Sequence, residues 1–387
     1  MAREKGSNTK KFRVFATCDI GPSLERLRQR DYELEVYPGP EAPPRDLLLA
    51  RVRSGIDGLI TTLRDRIDAE LLETGKGTLK GIAQMAVGYD NISRADASRC
   101  RIPFTNTADV LTDATAEFAF AILLAVSRKL WPSERLVREM RWGFWHPSQP
   151  FLGDEVTGKT IAVIGTGRIG QAMIARCSGF EMNVLCYNGV RRNEKFVDAT
   201  TKLMELRHEL GLGRRRNWVR YAELEECLRE ADYVSLHVPL LREGELREGE
   251  SDHPTWHMIN ERTLRIMKKS AYLVNTSRGP VVDEQALALA LRERWIAGAA
   301  LDVFECEPLP ADSPLRDPTI EDRCRLFHHF ASGTVETRLS ADPDVGMAGR
   351  CVQGMIDLLE SDDYDKMPYL VNREAFEQDQ KQQPHSS

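Results

Sequence analysis

Long apolar runs and paired cysteines are both missing from this sequence. No run approaches the roughly 18 apolar residues that would suggest a membrane-spanning helix. No apolar stretch follows the basic start, so we predict no secretory signal. The eight cysteines are scattered, and none belongs to a Cys-x-x-Cys pair, which argues against a zinc site and against a disulfide framework. We therefore expect reduced, mostly buried thiols in a cytoplasmic protein, and no bound metal.

Concentrated positive charge is missing as well. The formal net charge is −6 at pH 7, and Lys and Arg form no long stripe. Nucleic acid is therefore not expected as a partner. Hydrophobic residues make up 42% of the chain and charged residues 29%, the balance of a globular protein, and 387 residues are enough for two domains.

Short apolar runs instead alternate with helical stretches, which is the pattern of parallel α/β folds. Strands are predicted at 12–17, 34–37, 58–62, 81–85, 102–105, 160–164, 183–187, 233–238, 271–275 and 298–302. A long helix is predicted over 115–138 and a last helix over 348–360. Two stretches, 193–220 and 242–254, interrupt this pattern and are predicted to be solvated surface loops.

A glycine-rich turn joins the apolar run at 160–164 to a helical stretch, and it reads GTGRIG from Gly165 to Gly170. In this setting Gly165 permits a tight turn, Gly167 lets the backbone approach a pyrophosphate, and Gly170 lets the helix pack on the strand. The helix N-terminus favours the anion through its free N–H groups. The sequence therefore predicts a dinucleotide site that includes Gly165, Gly167, Arg168, Ile169 and Gly170.

The residues after the next strand bear on which dinucleotide is bound. An NAD enzyme usually has a carboxylate there for the ribose hydroxyls. This chain has Asn188, followed shortly by Arg191 and Arg192. Two guanidiniums without a carboxylate favour a 2′-phosphate, so NADP is the preferred cofactor and NAD the alternative. The two arginines could also simply begin the surface loop.

Four further motifs follow in one order: VGYDNI at 87–92, VLTDATAE at 110–117, NTSRGPVV at 275–282 and LDVFECEP at 301–308. With these motifs and the glycine turn, the sequence resembles the D-isomer-specific 2-hydroxyacid dehydrogenases, in particular their glyoxylate/hydroxypyruvate reductase branch. The resemblance covers about residues 12–372, outside the two interruptions. It implies an oxidoreductase that reduces a small 2-keto acid, glyoxylate or hydroxypyruvate, to the D-2-hydroxy acid.

The resemblance also implies an α/β fold with two Rossmann-like domains. A doubly wound, parallel-sheet NAD(P)-binding domain at 109–329 would be inserted into a flavodoxin-like substrate domain. Residues 1–108 and 330–372 would form that substrate domain, with a disordered tail at 373–387. The predicted helix at 115–138 resembles the family's dimer-forming region, so a homodimer is expected.

Three catalytic residues carry over from the family. Arg278 follows an apolar strand, and its planar guanidinium suits bidentate contact with the substrate carboxylate and carbonyl. Glu307, directly before Pro308, matches the family's carboxylate, which orients a histidine and favours its charged form. Glu305 is the alternative carboxylate.

The sequence departs from the family at that histidine. Family members read Pro-His-Ile-Gly or Pro-His-Ile-Ala, whereas this chain reads FHHFAS from Phe327 to Ser332. Alignment on the small residues that follow assigns the proton-donating role to His329. His328 then takes the position of the proline and is the alternative donor. The six other histidines are expected to be structural or solvent-facing.

Other positions carry over by the same resemblance. Thr276 would lie along the cofactor, and Asp302 would contact the nicotinamide carboxamide. Backbone N–H groups of Val87 and Gly88 would help to bind the substrate carboxylate.

Two further points stay open at the level of sequence. Leu63 and Trp145 either shape the substrate pocket or pack in a core. As for function, the chain could act on another 2-hydroxy acid, or it could be a corepressor of the same fold that senses the cofactor.

Overall fold

The computed structural model describes residues 11–148, 151–189, 192–244, 253–361 and 363–376. The chain forms two compact units. The first comprises residues 1–111 with 333–387, and the second comprises residues 112–332. The domain limits predicted from the sequence fall a few residues before these limits.

The strands have the following bounds: β1 Arg13–Ala16, β2 Glu33–Val36, β3 Gly58–Thr61, β4 Gly81–Gln84, β5 Phe104–Thr105, β6 Thr160–Ile164, β7 Asn183–Tyr187, β8 Val219–Tyr221, β9 Tyr233–Leu236, β10 Tyr272–Asn275, β11 Gly298–Leu301 and β12 Cys324–Leu326. The α-helices have these bounds: α1 Glu25–Gln29, α2 Arg45–Arg53, α3 Ala69–Gly75, α4 Arg94–Arg99, α5 Thr112–Ser127, α6 Leu130–Arg138, α7 Arg168–Gly179, α8 Glu194–Glu209, α9 Leu224–Glu230, α10 Glu261–Ile266, α11 Glu284–Arg292, α12 Val335–Leu339 and α13 Met347–Glu360.

The first unit is built on a parallel sheet with strand order β2-β1-β3-β4-β5. All residues of β3 and β4 are buried, as expected of central strands covered on both faces. Helix α13 packs on β3 and β4. This strand order is that of flavodoxin-like folds, which confirms the predicted class of this part of the chain.

The second unit is built on a parallel sheet with strand order β12-β11-β10-β9-β6-β7-β8. From β6 the chain runs outward to β8 on one side, then returns to β9 and runs outward to β12 on the other. The switch point between β6 and β9 is where open sheets of this kind bind ligands. The predicted doubly wound, Rossmann-type fold is therefore confirmed.

The long helix predicted over 115–138 is wrong in one respect, because the structure has two helices there. Helix α5 ends at Ser127 and α6 begins at Leu130. Lys129 between them has a φ of 55°, a left-handed conformation that interrupts a right-handed helix. Helix α5 supplies many buried residues to the core, whereas α6 buries none.

The stretch 193–220 is also not a simple loop. It contains α8 and leads into β8, which pairs with β7 at the edge of the sheet. The helix forms because Val197, Thr200 and Met204 recur on one face and are buried there. Of the other predicted loop, 242–254, residues 245–252 lie outside the described residues.

The ordered chain extends further than the predicted start of a tail at residue 373. Arg373–Ala375 form a short 3-10 turn, and Phe376 after it is buried. Residues 377–387 lie outside the described part.

All eight cysteines are free, and most of them are buried. Within the described ranges, no helix combines the length and apolarity needed to cross a membrane. The same residues contain no group of three or more His, Cys, Asp or Glu side chains arranged to hold a metal ion.

Candidate active site

Three loops follow three neighbouring strands of the second unit. Because β10, β11 and β12 are parallel and adjacent, their carboxyl ends meet at one edge of the sheet. The loop after β10 carries Arg278, the loop after β11 carries Glu307, and the loop after β12 carries His329. The fold thus brings the three predicted catalytic residues to one edge, where open α/β sheets bind ligands.

The side chains of His329 and Glu307 are in direct contact. Nδ1 of His329 lies 2.8 Å from Oε2 of Glu307, within hydrogen-bond distance. Because an ionised carboxylate can only accept, the ring donates through Nδ1, and this leaves Nε2 for a second partner. The two side chains are 33% and 37% exposed, so the pair is sheltered but open to a small molecule.

The surroundings of Glu307 keep its carboxyl group ionised. Burial alone would raise its pKa, but the hydrogen bond and charge of His329 outweigh burial and lower the pKa below the ordinary glutamate value. The backbone N–H of Phe304, which donates to Oε1 at 3.0 Å, lowers this pKa further, and so does the charge of Arg278. The pair is therefore an imidazole held beside a persistent anion.

The position of Arg278 is set by the buried side chain of Asn275. Nδ2 of Asn275 donates to the carbonyl of Arg278 at 2.9 Å. Oδ1 of Asn275 accepts from the backbone N–H and the hydroxyl of Ser277, at 3.0 and 2.8 Å. One amide side chain at the end of β10 thereby folds the Arg278 loop into a fixed turn.

Gly279 brings this loop against the loop that carries Glu307. A Cβ at Gly279 would collide with the backbone carbonyl group of Phe304, so only glycine allows this approach. The Glu307 loop is also tied to the start of α11 by two reciprocal bonds. Glu284 accepts from the N–H of Glu305 at 2.7 Å, and Glu305 accepts from the N–H of Glu284 at 3.0 Å. No sequence pattern signals this reciprocal pairing, because it joins a loop residue to a helix residue 21 positions earlier in the chain.

Asp302 holds the loop that carries His329. It is fully buried, and its two carboxylate oxygens accept from the N–H groups of Phe330 and Ala331 at 2.7 and 2.8 Å. Its carbonyl accepts from the N–H of His329 at 2.8 Å. Burial raises the pKa of Asp302, and the two N–H bonds oppose that rise. Sequence reasoning expected a cofactor contact here and missed this anchoring of the loop.

The two alternative catalytic residues, His328 and Glu305, contact other side chains. The His328 ring is exposed and stacks on Phe330, with ring centroids 5.1 Å apart. Glu305 is engaged with Glu284, and its Oε1 lies 3.3 Å from Nε2 of His257. This contact of His257 fits the structural role expected of the remaining histidines. Only contacts between distant segments reveal this neighbour.

The glycine turn lies at the switch point between β6 and β9. Gly165 has a φ of +98°, and a Cβ there would press on the carbonyl of His237. A Cβ at Gly170 would collide with the carbonyl of Gly165. At Gly167, by contrast, a Cβ would meet no described atom within 4 Å, and no side chain caps the helix that begins at Arg168. The turn is closely packed on the protein side and open on the side where a pyrophosphate would lie.

Other predicted cofactor residues belong to the same unit. Ile169 is partly buried against the core, and Asn188 is half-buried after β7. The hydroxyl of Thr276 is buried and has no hydrogen-bond partner among the described residues, so it is available to a bound molecule. These features fit a dinucleotide.

The arginine pair is only partly described, because Arg191 lies outside the described residues. Arg192 donates from Nη2 to Oε1 of Glu223 at 2.9 Å, and its guanidinium lies 5.4 Å from the ring centroid of Tyr221. A 2′-phosphate would therefore compete with Glu223 for this guanidinium.

Val87 and Gly88 belong to the first unit and lie in the turn after β4. Leu63, also in that unit, is half-buried. Trp145 of the second unit is 76% exposed, which rules out the alternative that it packs in a core.

A doubly wound sheet with an open glycine turn, and an arginine and a His–Glu pair at its edge, defines a nicotinamide-dependent dehydrogenase. Comparisons with known proteins give the family. A family model described as "D-isomer specific 2-hydroxyacid dehydrogenase, NAD binding domain" matches residues 120–331. The chain belongs to the D-isomer specific 2-hydroxyacid dehydrogenases.

Individual relatives match over nearly the whole chain. The glyoxylate reductase of Thermococcus litoralis is 40% identical over 368 residues, which cover 94% of this chain and 98% of that protein. A solved structure from Thermus thermophilus is 35% identical, with a TM-score of 0.76 over 93% of this chain and 100% of that one. An NADPH-dependent glyoxylate/hydroxypyruvate reductase of Sinorhizobium meliloti, solved with NADP and malonate, is 26% identical, with a TM-score of 0.72 over 95% and 98% of the two chains.

Proposed function

We propose that the protein reduces glyoxylate and hydroxypyruvate to the corresponding 2-hydroxy acids, with NADPH preferred over NADH. The observation that carries this proposal is the 2.8 Å contact of His329 with Glu307, at the sheet edge that also carries Arg278. A proton donor beside a fixed anion, together with a guanidinium, suits the reduction of a carbonyl next to a carboxylate. The glyoxylate reductases among the relatives support this choice of substrate.

In this mechanism the catalytic residues have distinct tasks. The nicotinamide cofactor supplies the hydride when it is bound. Arg278 holds the substrate carboxylate and polarises the carbonyl through its planar fork, and the N–H groups of Val87 and Gly88 bind the carboxylate. His329 donates a proton to the carbonyl oxygen from Nε2. Glu307 accepts the hydrogen bond from Nδ1 and keeps the ring oriented.

The cofactor would be held by the glycine turn and its neighbours. The open N-terminus of α7 would receive the pyrophosphate, and the buried Thr276 hydroxyl would lie along the cofactor. Asp302 has lone pairs left for the carboxamide, although both of its oxygens already accept backbone N–H bonds. The absence of a carboxylate at Asn188 and the presence of Arg192 support NADPH as the preferred reductant.

We also propose that the enzyme is a cytoplasmic homodimer. Helix α6 buries no residue, and apolar side chains are exposed along it and just after it: Leu130, Val137, Met140, Trp142, Phe144 and Trp145. An apolar surface of this kind is typical of an interface. Eight free cysteines fit a reducing compartment. Light scattering on the purified protein tests the dimer, and a monomer at micromolar concentration would contradict it.

A comparison of substrates and cofactors tests the proposed function. Oxidation of NADPH and of NADH is followed with glyoxylate, hydroxypyruvate, pyruvate and 2-ketoisocaproate. We expect the highest kcat/KM with NADPH and one of the first two acids. A preference for pyruvate or 2-ketoisocaproate would show that the protein acts on a different 2-keto acid within the same family. Tight cofactor binding without turnover of any of the four would favour the corepressor alternative.

A further inference from the structure

Two successive peptide groups in the turn after β4 are held by their carbonyl oxygens. The carbonyl of Ala86 accepts from the backbone N–H of Thr107 at 2.9 Å. The carbonyl of Val87 accepts from Nδ2 of Asn106 at 2.8 Å. Both donors follow β5, the strand next to β4 in the sheet of the first unit. One short segment thus fixes both peptide planes.

Fixing a carbonyl also fixes the direction of the next N–H group. In a planar trans peptide the C=O and N–H bonds point in opposite directions. The bond to Ala86 therefore turns the N–H of Val87 away from the segment after β5, and the bond to Val87 does the same for the N–H of Gly88. Neither N–H donates to any acceptor within the described residues. Two neighbouring N–H groups directed in this way make an anion-binding site.

The side chain of Asn106 is itself held in one orientation. Its backbone N–H donates to the carbonyl of Tyr369 at 3.2 Å, and its Oδ1 accepts from the N–H of Ala108 at 3.4 Å. With Oδ1 engaged on that side, Nδ2 faces Val87. The amide therefore donates to the turn in a defined geometry.

A second amide supports the other end of the turn. Gln84, the last residue of β4, donates from Nε2 to Oδ1 of Asn91 at 2.7 Å and, more weakly, to the carbonyl of Gly88 at 3.4 Å. Asn91 in turn donates to the carbonyls of Thr62 and Asp65 at 3.0 and 2.8 Å. The turn is thereby preformed before any ligand binds.

We propose that Asn106 is a positioning residue for the substrate carboxylate: by holding the carbonyl of Val87, it directs the N–H of Gly88 to the anion. The inference rests on the proposed function, in which these N–H groups bind the 2-keto acid. Asn106 acts through the backbone and does not itself touch the substrate. Its loss weakens carboxylate binding while the chemistry at His329 and the binding of NADPH stay intact.

Two substitutions at Asn106 separate this role from simple packing. Asn106→Asp keeps the shape of the side chain but sets a carboxylate oxygen against the Val87 carbonyl, and Asn106→Ala removes the donor without repulsion. We expect the KM for glyoxylate to rise about ten-fold in Asn106→Ala and further in Asn106→Asp, with kcat changed less than KM. The Ki of oxamate, an unreactive carboxylate that resembles the substrate, should rise in parallel, and the Kd of NADPH should not change.

The outcomes distinguish the inference from the function on which it rests. If the wild type reduces glyoxylate but Asn106→Asp has a KM within two-fold of it, the positioning role is refuted and the function stands. A milder effect of Asp than of Ala would also refute it, because that order is the one expected for packing. If the wild type shows no turnover, oxamate binding to the NADPH complex is measured by calorimetry. Weaker binding in both variants then supports the positioning role, and equal or absent binding overturns it.

Discussion

Nδ1 of His329 and Oε2 of Glu307 lie 2.8 Å apart, although 22 residues separate them in sequence. They meet because β11 and β12 are neighbouring parallel strands, and because hydrogen bonds hold each of the two loops in place. Asp302 holds the backbone of the histidine loop, and the N–H of Phe304 holds the carboxylate. The pair is preorganised by the fold and does not depend on bound substrate for its geometry.

Replacement of Glu307 by glutamine should lower kcat/KM at least about ten-fold and change the acid limb of its pH profile. Because its pKa is lowered, the wild-type carboxylate stays ionised as the pH falls through the ordinary glutamate range, and is protonated only below it. Wild-type activity should therefore persist through that range, and the acid-side fall that follows protonation of Glu307 should be absent from Glu307→Gln, which has no group to titrate there. An acid limb of the same shape in both proteins would show that Glu307 does not set it.

The two adjacent histidines should differ sharply. We expect His329→Ala to lower kcat about a hundred-fold or more, since it removes the proton donor. His328→Ala is the matched control and should have little effect, because the His328 ring is exposed and stacks on Phe330. NADPH binding, followed by fluorescence, should be retained in both variants. The reverse order of effects would transfer the proton-donating role to His328.

Much of the fold could be predicted because its signals are local. The central strands are mostly apolar, and the glycine turn follows β6 directly, so sequence alone located both. The break at Lys129 was missed because it depends on one residue's backbone conformation. Helix α8 was missed although Val197, Thr200 and Met204 have a helical spacing. Because many charged residues surround these three, the stretch was interpreted as a solvated loop.

The candidate site, too, could be predicted only in part from the sequence. Its principal side chains lie in recognisable motifs, and the structure brings Glu307 and His329 into contact. The supporting bonds join segments far apart in the chain: Asp302 with the histidine loop, Glu284 with Glu305, and Asn106 with Val87. No spacing in the sequence reports such bonds, because they arise from strand order.

A methyl group at Gly279 should disturb the Glu307 loop. The added Cβ of Gly279→Ala would collide with the backbone of Phe304, and overpacking of this kind costs about 1–3 kcal/mol. We expect a lower melting temperature and a loss of turnover larger than the loss of NADPH affinity. Gly179→Ala at the end of α7 is the control, because its Cβ would meet no described atom within 4 Å. Equal behaviour of the two variants would show that the Gly279 contact has no effect on the site.

The preference for NADPH should respond to Glu223. Because Glu223 binds the guanidinium of Arg192, Glu223→Gln frees that guanidinium for a 2′-phosphate. We expect the ratio of kcat/KM with NADPH to that with NADH to rise about three-fold or more, and to fall in Arg192→Ala. Glu226→Gln, which breaks an ion pair with Arg220 instead, is the control and should leave the ratio unchanged. If the ratio is unchanged in both Glu223→Gln and Arg192→Ala, the structural support for NADPH is removed.

The most direct test of the central claim is the rate at which the purified protein oxidises NADPH on addition of glyoxylate, with the glycolate formed measured in the same samples. We expect rapid oxidation, one glycolate for each NADPH consumed, and near-complete loss of both in His329→Ala. Tight NADPH binding without glycolate formation by the wild type would contradict it.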